Sequence, residues 1–238
     1  MRPVKRTALV TGASSGIGRA IAQLLLQQGH QVLGTSRDCS QFGHVMANFT
    51  PVQLDLGAPE SLPDSMRALE RQFPALDTVI FNAGVGQFGS LEEFSYPQIE
   101  RLMTVNFTSQ VYITKALLPH LKRKGYGDLI YIGSEAALKG SRKGTIYCAS
   151  KFALRGFTQA LREECSQSQV RVCLINPGMV QTPFFDNLSF MPGENDNQHL
   201  LPEDVAEAVS LVLASRSAAV FDEINLNPLN KVVKFKKA

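Results

Sequence analysis

The chain has 238 residues, of which 44% are hydrophobic and 19% charged, and its formal net charge is +3. A chain of that length fits one sizeable domain more readily than two small ones, and so small a net charge gives no reason to expect nucleic acid or an acidic membrane as a partner. No apolar run reaches about 18 residues and no signal-peptide core follows Met1, so we expect a cytoplasmic protein without a membrane span.

The cysteines point away from metal binding and from disulfides. The four of them form no CxxC pair and none lies at metal-ligand spacing from a histidine. Reduced thiols are the simplest interpretation in a cytoplasmic protein. We therefore predict no metal site and four free side chains, those of Cys39, Cys148, Cys165 and Cys173.

Short apolar runs alternate with longer amphipathic stretches along the whole chain. The predicted strands cover residues 7–11, 31–35, 51–54, 78–82, 129–133, 170–176 and 223–227. The predicted helices cover residues 17–28, 60–73, 97–124, 145–166 and 202–214. Alternation of this kind predicts an α/β fold, a doubly wound parallel sheet of about seven strands with helices on both faces. We expect a single domain over residues 1–238.

Two segments stand outside this alternation. Residues 178–201 are rich in Pro, Asn, Asp and Gly and contain Phe184, Phe185 and Phe190. A segment that long inside a compact domain is usually a lid or a binding loop, so we predict a substrate loop, with a plain surface loop as the alternative. Residues 229–238 form a basic tail, for which we expect a solvated chain or, alternatively, weak anion binding. Its lysines are Lys231, Lys234, Lys236 and Lys237.

A glycine-rich turn joins the first strand to the first helix. It reads Thr11-Gly12-Ala13-Ser14-Ser15-Gly16-Ile17-Gly18. Gly12 permits a tight turn, Gly16 lets the backbone approach a pyrophosphate, and Gly18 allows the helix to pack closely on the strand. The helix N-terminus adds free N–H groups and a partial positive charge. We therefore predict a phosphate-binding loop.

The spacing Thr-Gly-x3-Gly-Ile-Gly resembles the cofactor signature of the short-chain dehydrogenase/reductases, in their compact single-domain branch. The resemblance extends from about residue 6 to about residue 227. It implies a Rossmann-type fold, an oxidoreductase acting on CH–OH groups, and a homodimer or homotetramer formed through the helices at 97–124 and 145–166. It also implies cofactor binding by Gly12, Ser14, Ser15, Gly16, Ile17 and Gly18.

The end of the second strand predicts which nicotinamide cofactor binds. An acidic residue here would bind the ribose of NAD, whereas a nearby Arg accommodates the 2′-phosphate of NADP. By the family's pattern Ser36 stands in place of the acid, and Arg37 follows it. A guanidinium can bind a phosphate through two hydrogen bonds. We predict NADP(H), with an ordinary surface arginine as the alternative.

Further cofactor contacts are implied by the resemblance at the ends of later strands. It puts Asp55 at the adenine, Gly84 and its neighbours against the cofactor, and Thr182 at the nicotinamide carboxamide. Ligands bind at the carboxyl ends of strands in open α/β sheets, as this placement requires. The residues concerned are Asp55, Leu56, Asn82, Ala83, Gly84, Pro177, Gly178, Val180 and Thr182.

Tyr147 and Lys151 lie four residues apart at the start of a predicted helix, and so share one face. A cation beside a phenol lowers the phenol's pKa, which brings it into range for proton transfer. The spacing is a weak signal by itself, but the resemblance makes this pair the proton donor and its support. It also implies that both side chains contact the cofactor, Lys151 through the nicotinamide ribose.

Two more residues complete the family's catalytic group. Ser134 stands thirteen residues before Tyr147 and is implied to hydrogen-bond the substrate carbonyl. Asn106 is implied to interrupt its helix and to free a carbonyl for a water that leads to Lys151. We therefore expect hydride transfer between NADP(H) and a small hydroxy or carbonyl compound, a small-molecule substrate.

The substrate itself is less closely defined. The segment after Gly178 resembles that of bacterial NADP-dependent 3-hydroxy acid (serine) dehydrogenases, with a Leu-x-Pro-Glu-Asp-Val motif at residues 200–205. Arg155, two turns from Tyr147, could hold a carboxylate, the alternative being an interface or surface ion pair. A 3-hydroxy acid is our first interpretation.

Two alternatives remain open. Phe88, Phe184 and Phe185 would suit the apolar pocket of a broad carbonyl reductase, and a 3-oxoacyl reductase is related chemistry. The ending at residues 223–228 departs from that of the 3-oxoacyl reductases and disfavours them. A non-catalytic regulatory protein that senses NADP(H) is the alternative from another functional class.

Overall fold

The computed structural model describes residues 5–42 and 47–236. Nine strands lie in those ranges: β1 Thr7–Val10, β2 Gln31–Ser36, β3 Phe49–Gln53, β4 Thr78–Phe81, β5 Gly127–Ile132, β6 Val170–Pro177, β7 Phe190–Pro192, β8 Glu223–Leu226 and β9 Val233–Phe235. The helices are α1 Gly16–Gln27, α2 Leu62–Gln72, α3 Tyr96–Met103, α4 Ser109–Lys124, α5 Thr145–Cys165 and α6 Pro202–Ala214.

Seven of the strands form one parallel sheet in the order β3-β2-β1-β4-β5-β6-β8. The predicted doubly wound sheet is therefore confirmed. Connections from β1 run outward to β2 and β3 on one side and to β4 and its neighbours on the other. Between β1 and β4 the strand order changes direction, which opens a crevice at the carboxyl ends of the strands. The candidate site residues follow those ends.

Both faces of the sheet are buried, which explains why its central strands are continuous apolar runs. Successive side chains of a strand point to opposite faces. Leu9 and Tyr131 therefore belong to the core under α2, α4 and α5. Their neighbours Val10 and Ile130 belong to the other core, under α1 and α6.

The long helix predicted over residues 97–124 is interrupted. One π-helical turn, Thr104–Thr108, separates α3 from α4. Such turns appear as local bulges within α-helices and are frequent at functional sites. Periodicity alone predicted one continuous helix, because the apolar spacing on either side of the turn is almost unchanged. The local break implied by the family resemblance lies here.

The substrate loop and the tail pair with each other. Strand β7, within the loop, is antiparallel to β9, within the tail, with Phe190 opposite Phe235. The tail is exposed to solvent, as predicted, at all of residues 231–236 except the half-buried Val232, but the pairing of residues 233–235 was not predicted. Lys237 lies outside the described residues. Three-residue strands give too little period-two signal to recognise in a sequence, and their pairing depends on segments about forty positions apart.

The described ranges contain neither a membrane-spanning helix nor a metal-binding group. No helix within them combines the length and the apolar character that crossing a bilayer requires. No cluster of three His, Cys, Asp or Glu side chains there could hold a metal ion. All four cysteines are free thiols, and Cys148, Cys165 and Cys173 are buried.

Candidate active site

The turn between β1 and α1 has a geometry that only glycine permits. Gly12 has φ +68° and Gly16 has φ +51°, in the left-handed region that L side chains rarely adopt. A Cβ on Gly18 would lie 2.2 Å from the carbonyl oxygen of Gly12, so helix and turn touch at that point. The turn leaves the N-terminus of α1 facing the crevice. Its shape fits a dinucleotide pyrophosphate.

Thr11 holds this turn against the end of β4. Its hydroxyl oxygen accepts hydrogen bonds from the backbone N–H of Asn82 at 2.9 Å and of Ala83 at 3.0 Å. In return, the Asn82 side-chain amide donates to the carbonyl oxygens of Thr11 at 3.0 Å and Gly12 at 3.3 Å. Thr11 was not predicted as a site residue, although its place immediately before Gly12 was the available signal. Asn82 and Ala83 thus brace the loop.

Ser36 and Arg37 lie beside the glycine loop. The Ser36 hydroxyl donates to the Ser14 hydroxyl at 3.2 Å, and Arg37 is exposed at the edge of the crevice. Asp38 points its carboxylate to the backbone N–H of Ser40 at 2.9 Å. The carboxylate of Asp38 is therefore hydrogen-bonded within the turn of residues 38–40. Ser36 and Arg37 thus present a hydroxyl and an exposed guanidinium at this strand end.

The remaining predicted cofactor residues line the same edge of the sheet. A Cβ on Gly16 would lie 3.3 Å from Thr182, which brings the segment after β6 to the glycine loop. A Cβ on Gly84 would lie 3.3 Å from the Asn106 side-chain oxygen and 3.8 Å from Lys151 Nζ. The carboxylate of Asp55 accepts a hydrogen bond from the backbone N–H of Gly57, two residues further on. Leu56, Ser15, Ile17, Pro177, Gly178 and Val180 follow or flank the strand ends as expected.

Tyr147, Lys151 and Ser134 come together at the end of β5. Tyr147 and Lys151 lie one turn apart on α5 and are only 8% and 4% exposed. Ser134 hydrogen-bonds the Tyr147 hydroxyl, and its oxygen accepts the Ala136 N–H at 3.1 Å. Lys151 Nζ donates to the carbonyl oxygen of Ile132 at 3.2 Å and lies 5.8 Å from the centre of the Tyr147 ring. The predicted triad is one cluster.

Asn106, in the π-helical turn, joins this cluster to the loop after β4. Its side-chain oxygen accepts the Val85 N–H at 2.8 Å, and its amide donates to Val85 O at 3.0 Å and to Ser150 Oγ at 3.2 Å. Ser150 in turn donates to the carbonyl oxygen of Tyr147 at 2.7 Å. Asn106 therefore fixes the start of α5.

The main-chain carbonyl of Asn106 was expected to be free to accept a hydrogen bond from a water. It is not free, because the buried side-chain amide of Gln110 donates to it at 2.9 Å. A carbonyl oxygen can accept two hydrogen bonds, so the Gln110 bond uses half of its capacity. Gln110 was not predicted, and its signal was a polar side chain one helical turn after Asn106 on the buried face.

The pKa of Tyr147 is raised, whereas the sequence predicted that it is lowered. Burial raises it to about 12, the hydrogen bond with Ser134 opposes that shift, and Cys148 and Glu135 raise it further. Burial also lowers the pKa of Lys151 to about 8. The prediction assumed an ammonium beside the hydroxyl, but Nζ faces the ring. The phenol is therefore protonated at neutral pH and available as a proton donor.

Aromatic rings cover Tyr147. The ring of Phe88 lies 5.0 Å from it and that of Phe184 6.1 Å from it, between centres. Phe190 packs edge-on against Phe88 at 4.9 Å, and Phe185 against Phe184 at 5.2 Å. The predicted apolar wall thus exists, with Phe190 as a further member. The face of the tyrosine ring that these phenylalanines cover is therefore apolar.

Arg155 is paired inside the chain. Its Nε donates to the Glu223 carboxylate of β8 at 2.9 Å, which agrees with the ion-pair interpretation and leaves the substrate-carboxylate interpretation without support. The other Glu223 oxygen accepts from the Asn176 amide at 3.1 Å, and that amide also donates to Asn225 at 3.0 Å. The Asn176 oxygen accepts the Ser134 N–H at 3.3 Å. Arg155 and β8 thus support Ser134.

Known proteins similar to this chain share both fold and motifs. A family model described as short chain dehydrogenase matches residues 6–192. A 3-ketodihydrosphingosine reductase of Bacteroides thetaiotaomicron is 35% identical over 79% of this chain and 70% of its own length. An alcohol dehydrogenase of Thermococcus sibiricus, solved with 5-hydroxy-NADP, is 28% identical, with TM-score 0.85 over 94% of this chain and 97% of its own. The serine dehydrogenase of Escherichia coli is 28% identical, with TM-score 0.80 over 92% and 96%.

Proposed function

This chain belongs to the short-chain dehydrogenase family, and on that premise we propose that it is an NADP(H)-dependent reductase of small, mainly apolar carbonyl compounds. The oxidoreductase class follows from the family. The observation that carries the finer proposal is the buried, protonated hydroxyl of Tyr147, hydrogen-bonded to Ser134 and covered by phenylalanine rings. A proton donor in apolar surroundings suits the reduction of an apolar ketone or aldehyde.

NADP(H) is proposed rather than NAD(H) because of the end of β2. Arg37 is exposed beside Ser36, and the carboxylate of Asp38 is turned to Ser40. A guanidinium and a hydroxyl provide the donors that a 2′-phosphate needs. The residues that would hold the rest of the cofactor are those of the glycine loop and of the strand ends, together with Tyr147 and Lys151.

When bound, NADPH would supply a hydride to the carbonyl carbon of the substrate. Tyr147 donates its phenolic proton to the carbonyl oxygen. The Ser134 O–H, which lies beside the Tyr147 hydroxyl, would donate to the same carbonyl oxygen once a substrate enters between them. The Lys151 ammonium, 5.8 Å from the ring centre, stabilises the phenolate that remains. Asn106 holds α5 in the position that this transfer requires.

The apolar wall favours a ketone over a hydroxy acid. Phe88 and Phe184 pack on the tyrosine, Phe190 packs on Phe88, and the proposed carboxylate ligand Arg155 is paired with Glu223. A relative named for a ketone reductase agrees with this choice. A 3-hydroxy acid remains the second candidate, supported by the likeness to the E. coli serine dehydrogenase and by the motif at residues 200–205.

A matched panel tests the proposal. Purified protein is supplied with NADPH and an aryl methyl ketone, an alkyl methyl ketone, a 3-oxo acid or a 3-oxoacyl thioester, and separately with NADP+ and serine. We expect kcat/KM for the ketones to exceed that for the 3-oxo acid by about tenfold or more, which corresponds to about 1.4 kcal/mol. The opposite order would establish the hydroxy acid. Tight NADPH binding without any turnover would establish a regulatory protein.

We also propose a homodimer or homotetramer in the cytoplasm. The long helices α4 and α5 present Tyr112 and Phe152 to solvent, and large exposed apolar side chains in one region suit contact with a second copy. Four free thiols suit a reducing compartment. Light scattering coupled to size-exclusion chromatography would give the subunit number directly, and a monomer at micromolar concentration would refute the assembly.

A further inference from the structure

The end of the described chain, residues 229–236, is fastened to both sides of the candidate active site. On one side, the Lys231 ammonium pairs with the carboxylate of Glu135, in the turn after β5. On the other side, Nζ of Lys236 donates to two carbonyl oxygens at the end of the turn Pro183–Phe185, at 2.6 and 2.8 Å. The segment therefore crosses from the turn that follows β5 to the substrate loop.

Backbone hydrogen bonds add to these charged contacts. Two of them flank the β7–β9 ladder: Lys236 N to Ser189 O at 2.8 Å and Gly193 N to Val232 O at 3.1 Å. Hydrogen-bonded pairs alternate with non-bonded pairs along an antiparallel ladder. Alternation therefore directs the N–H of Lys234 towards the loop and that of Val233 away from it. Lys234 also pairs with Glu194 at 2.7 Å.

The substrate loop held in this way contacts Tyr147 directly through Phe184, whose ring centre lies 6.1 Å from that of the tyrosine, and indirectly through β7. Phe190, in β7, packs on Phe88 at 4.9 Å, and Phe88 packs on Tyr147 at 5.0 Å between ring centres. Any movement of β7 away from the sheet would remove Phe190 from this stack. Access to Tyr147 is therefore linked to the pairing of β7 with β9.

The pairing itself is weak enough to open. Both strands have only three residues, and Phe235 is 77% exposed. An isolated two-stranded ribbon is at best marginally stable in water. A cavity of about 360 Å³ lies beside the ribbon, lined in part by Thr182, Met191 and Lys236. The ribbon thus has room to move, and β9, which is exposed along its whole length, contributes few apolar contacts to it.

We propose that residues 229–236 are a strap that limits opening of the substrate loop, and that the strap thereby sets the size of the carbonyl substrate. The selectivity rests on the proposed function, whereas the strap is a property of the fold. A small substrate can bind while the strap keeps the loop closed over Tyr147. A bulky substrate needs the loop to open further, and the strap opposes that movement.

The test compares two proline variants at adjacent positions. Lys234→Pro removes an N–H directed at the loop, whereas Val233→Pro, the control, removes one directed away. The first readout is limited proteolysis of the full-length protein within residues 183–194, which reports local opening. We expect cleavage of Lys234→Pro to be ~10-fold faster and that of Val233→Pro to stay within ~2-fold of the parent protein. The second readout is the ratio of kcat/KM for a bulky aryl ketone to that for a small ketone, which we expect to rise ~3-fold or more in Lys234→Pro alone.

A charge exchange keeps the test decisive if proline disturbs folding. Lys234→Glu places two carboxylates together and should speed cleavage of the loop, and adding Glu194→Lys should restore the parent rate. Equal cleavage in all variants would overturn the strap. Faster cleavage with an unchanged substrate ratio would overturn its role in selectivity. Absence of turnover in the parent protein would defeat the proposed function, while the proteolysis would still decide whether the strap exists.

Discussion

Gly86 offers a one-methyl test of the aromatic wall. A Cβ at this position would lie 2.2 Å from the Cζ atom of Phe184 and 2.8 Å from two further ring carbons, closer than real contacts allow. The substitution Gly86→Ala must therefore displace the Phe184 ring, whose centre lies 6.1 Å from that of Tyr147. Overpacking of this kind costs about 1–3 kcal/mol, and an aromatic pair contributes about 0.5–1.5 kcal/mol. Because Phe184 is only half-buried and its ring can turn aside, we expect the free energy of unfolding to fall by about the value of the lost aromatic pair, about 0.5–1.5 kcal/mol.

The same displacement should affect catalysis selectively. Once the Phe184 ring is displaced, the aromatic wall no longer holds an aryl ketone against Tyr147. We expect kcat/KM for the aryl ketone to fall about tenfold, equivalent to about 1.4 kcal/mol. The Kd for NADPH should stay within about twofold, a change of less than about 0.5 kcal/mol, because Phe184 packs on the substrate side of Tyr147. Steady-state NADPH consumption and a fluorescence titration measure these two quantities, and urea unfolding measures stability.

Two variants make this prediction specific. Gly140→Ala is the matched control, because a Cβ there meets no atom within 4 Å, so the added methyl group should leave both quantities near their parent values. Adding Phe184→Leu to Gly86→Ala relieves the clash and should cost little further stability, because the aromatic pair is already lost. If Gly86→Ala retains full stability and full activity towards aryl ketones, the reasoning about the aromatic wall is refuted.

Three further predictions concern the catalytic group and the cofactor. Tyr147→Phe should reduce turnover at least about 10³-fold while NADPH still binds, because it removes the proton donor; substantial remaining activity, measured by NADPH consumption, would disprove the mechanism. Arg37→Ala should weaken NADPH binding by about 10-fold or more, through loss of a charge-assisted contact to phosphate, and NADH binding hardly at all; titration of both cofactors decides, and equal weakening would contradict the assignment. The kcat/KM for reduction should fall as pH rises through about 8, because the pKa of Lys151 lies there and its cation is lost above it. Oxidation of the alcohol should instead gain from rising pH, because the pKa of Tyr147, about 12, keeps the phenolate scarce at neutral pH; pH profiles in both directions would show it, and a reduction rate that climbs above pH 8 would oppose it.

Local patterns in the sequence were sufficient to predict the strands of the main sheet. Its central strands, such as β1 and β4, are short apolar runs, and burial on both faces makes such runs recognisable without knowledge of their partners. The glycine loop and the Tyr147–Lys151 pair were equally accessible, since fixed spacings define them. Helix α6 begins and ends at the predicted residues, because Pro202 marks its first turn.

The features that sequence reasoning missed depend on distant parts of the chain. The ribbon of β7 and β9 and the contact of Gln110 with Asn106 are set by packing in three dimensions. An ion pair of Arg155 was among the interpretations, but its partner Glu223 was not predicted for the same reason. The direction of the Tyr147 pKa was wrong for the same reason. Burial raises the pKa, and the ammonium that was expected to lower it faces the ring of Tyr147 rather than its hydroxyl. A sequence gives neither the depth of a group nor the direction of its neighbour.

The support of Ser134 by Asn176 and β8 has a consequence for the order in which activity arises during synthesis. The glycine loop and its brace at β4 are complete within the first 85 residues, whereas the contacts of Asn176 with Glu223 and Asn225 need the last strand of the main sheet. The brace of the glycine loop uses only early residues, but the serine cannot be oriented until β8 has been added. Turnover should therefore be one of the last properties that the protein acquires during synthesis, because the proposed cofactor contacts of Tyr147, Lys151 and Thr182 and the support of Ser134 all lie further along the chain.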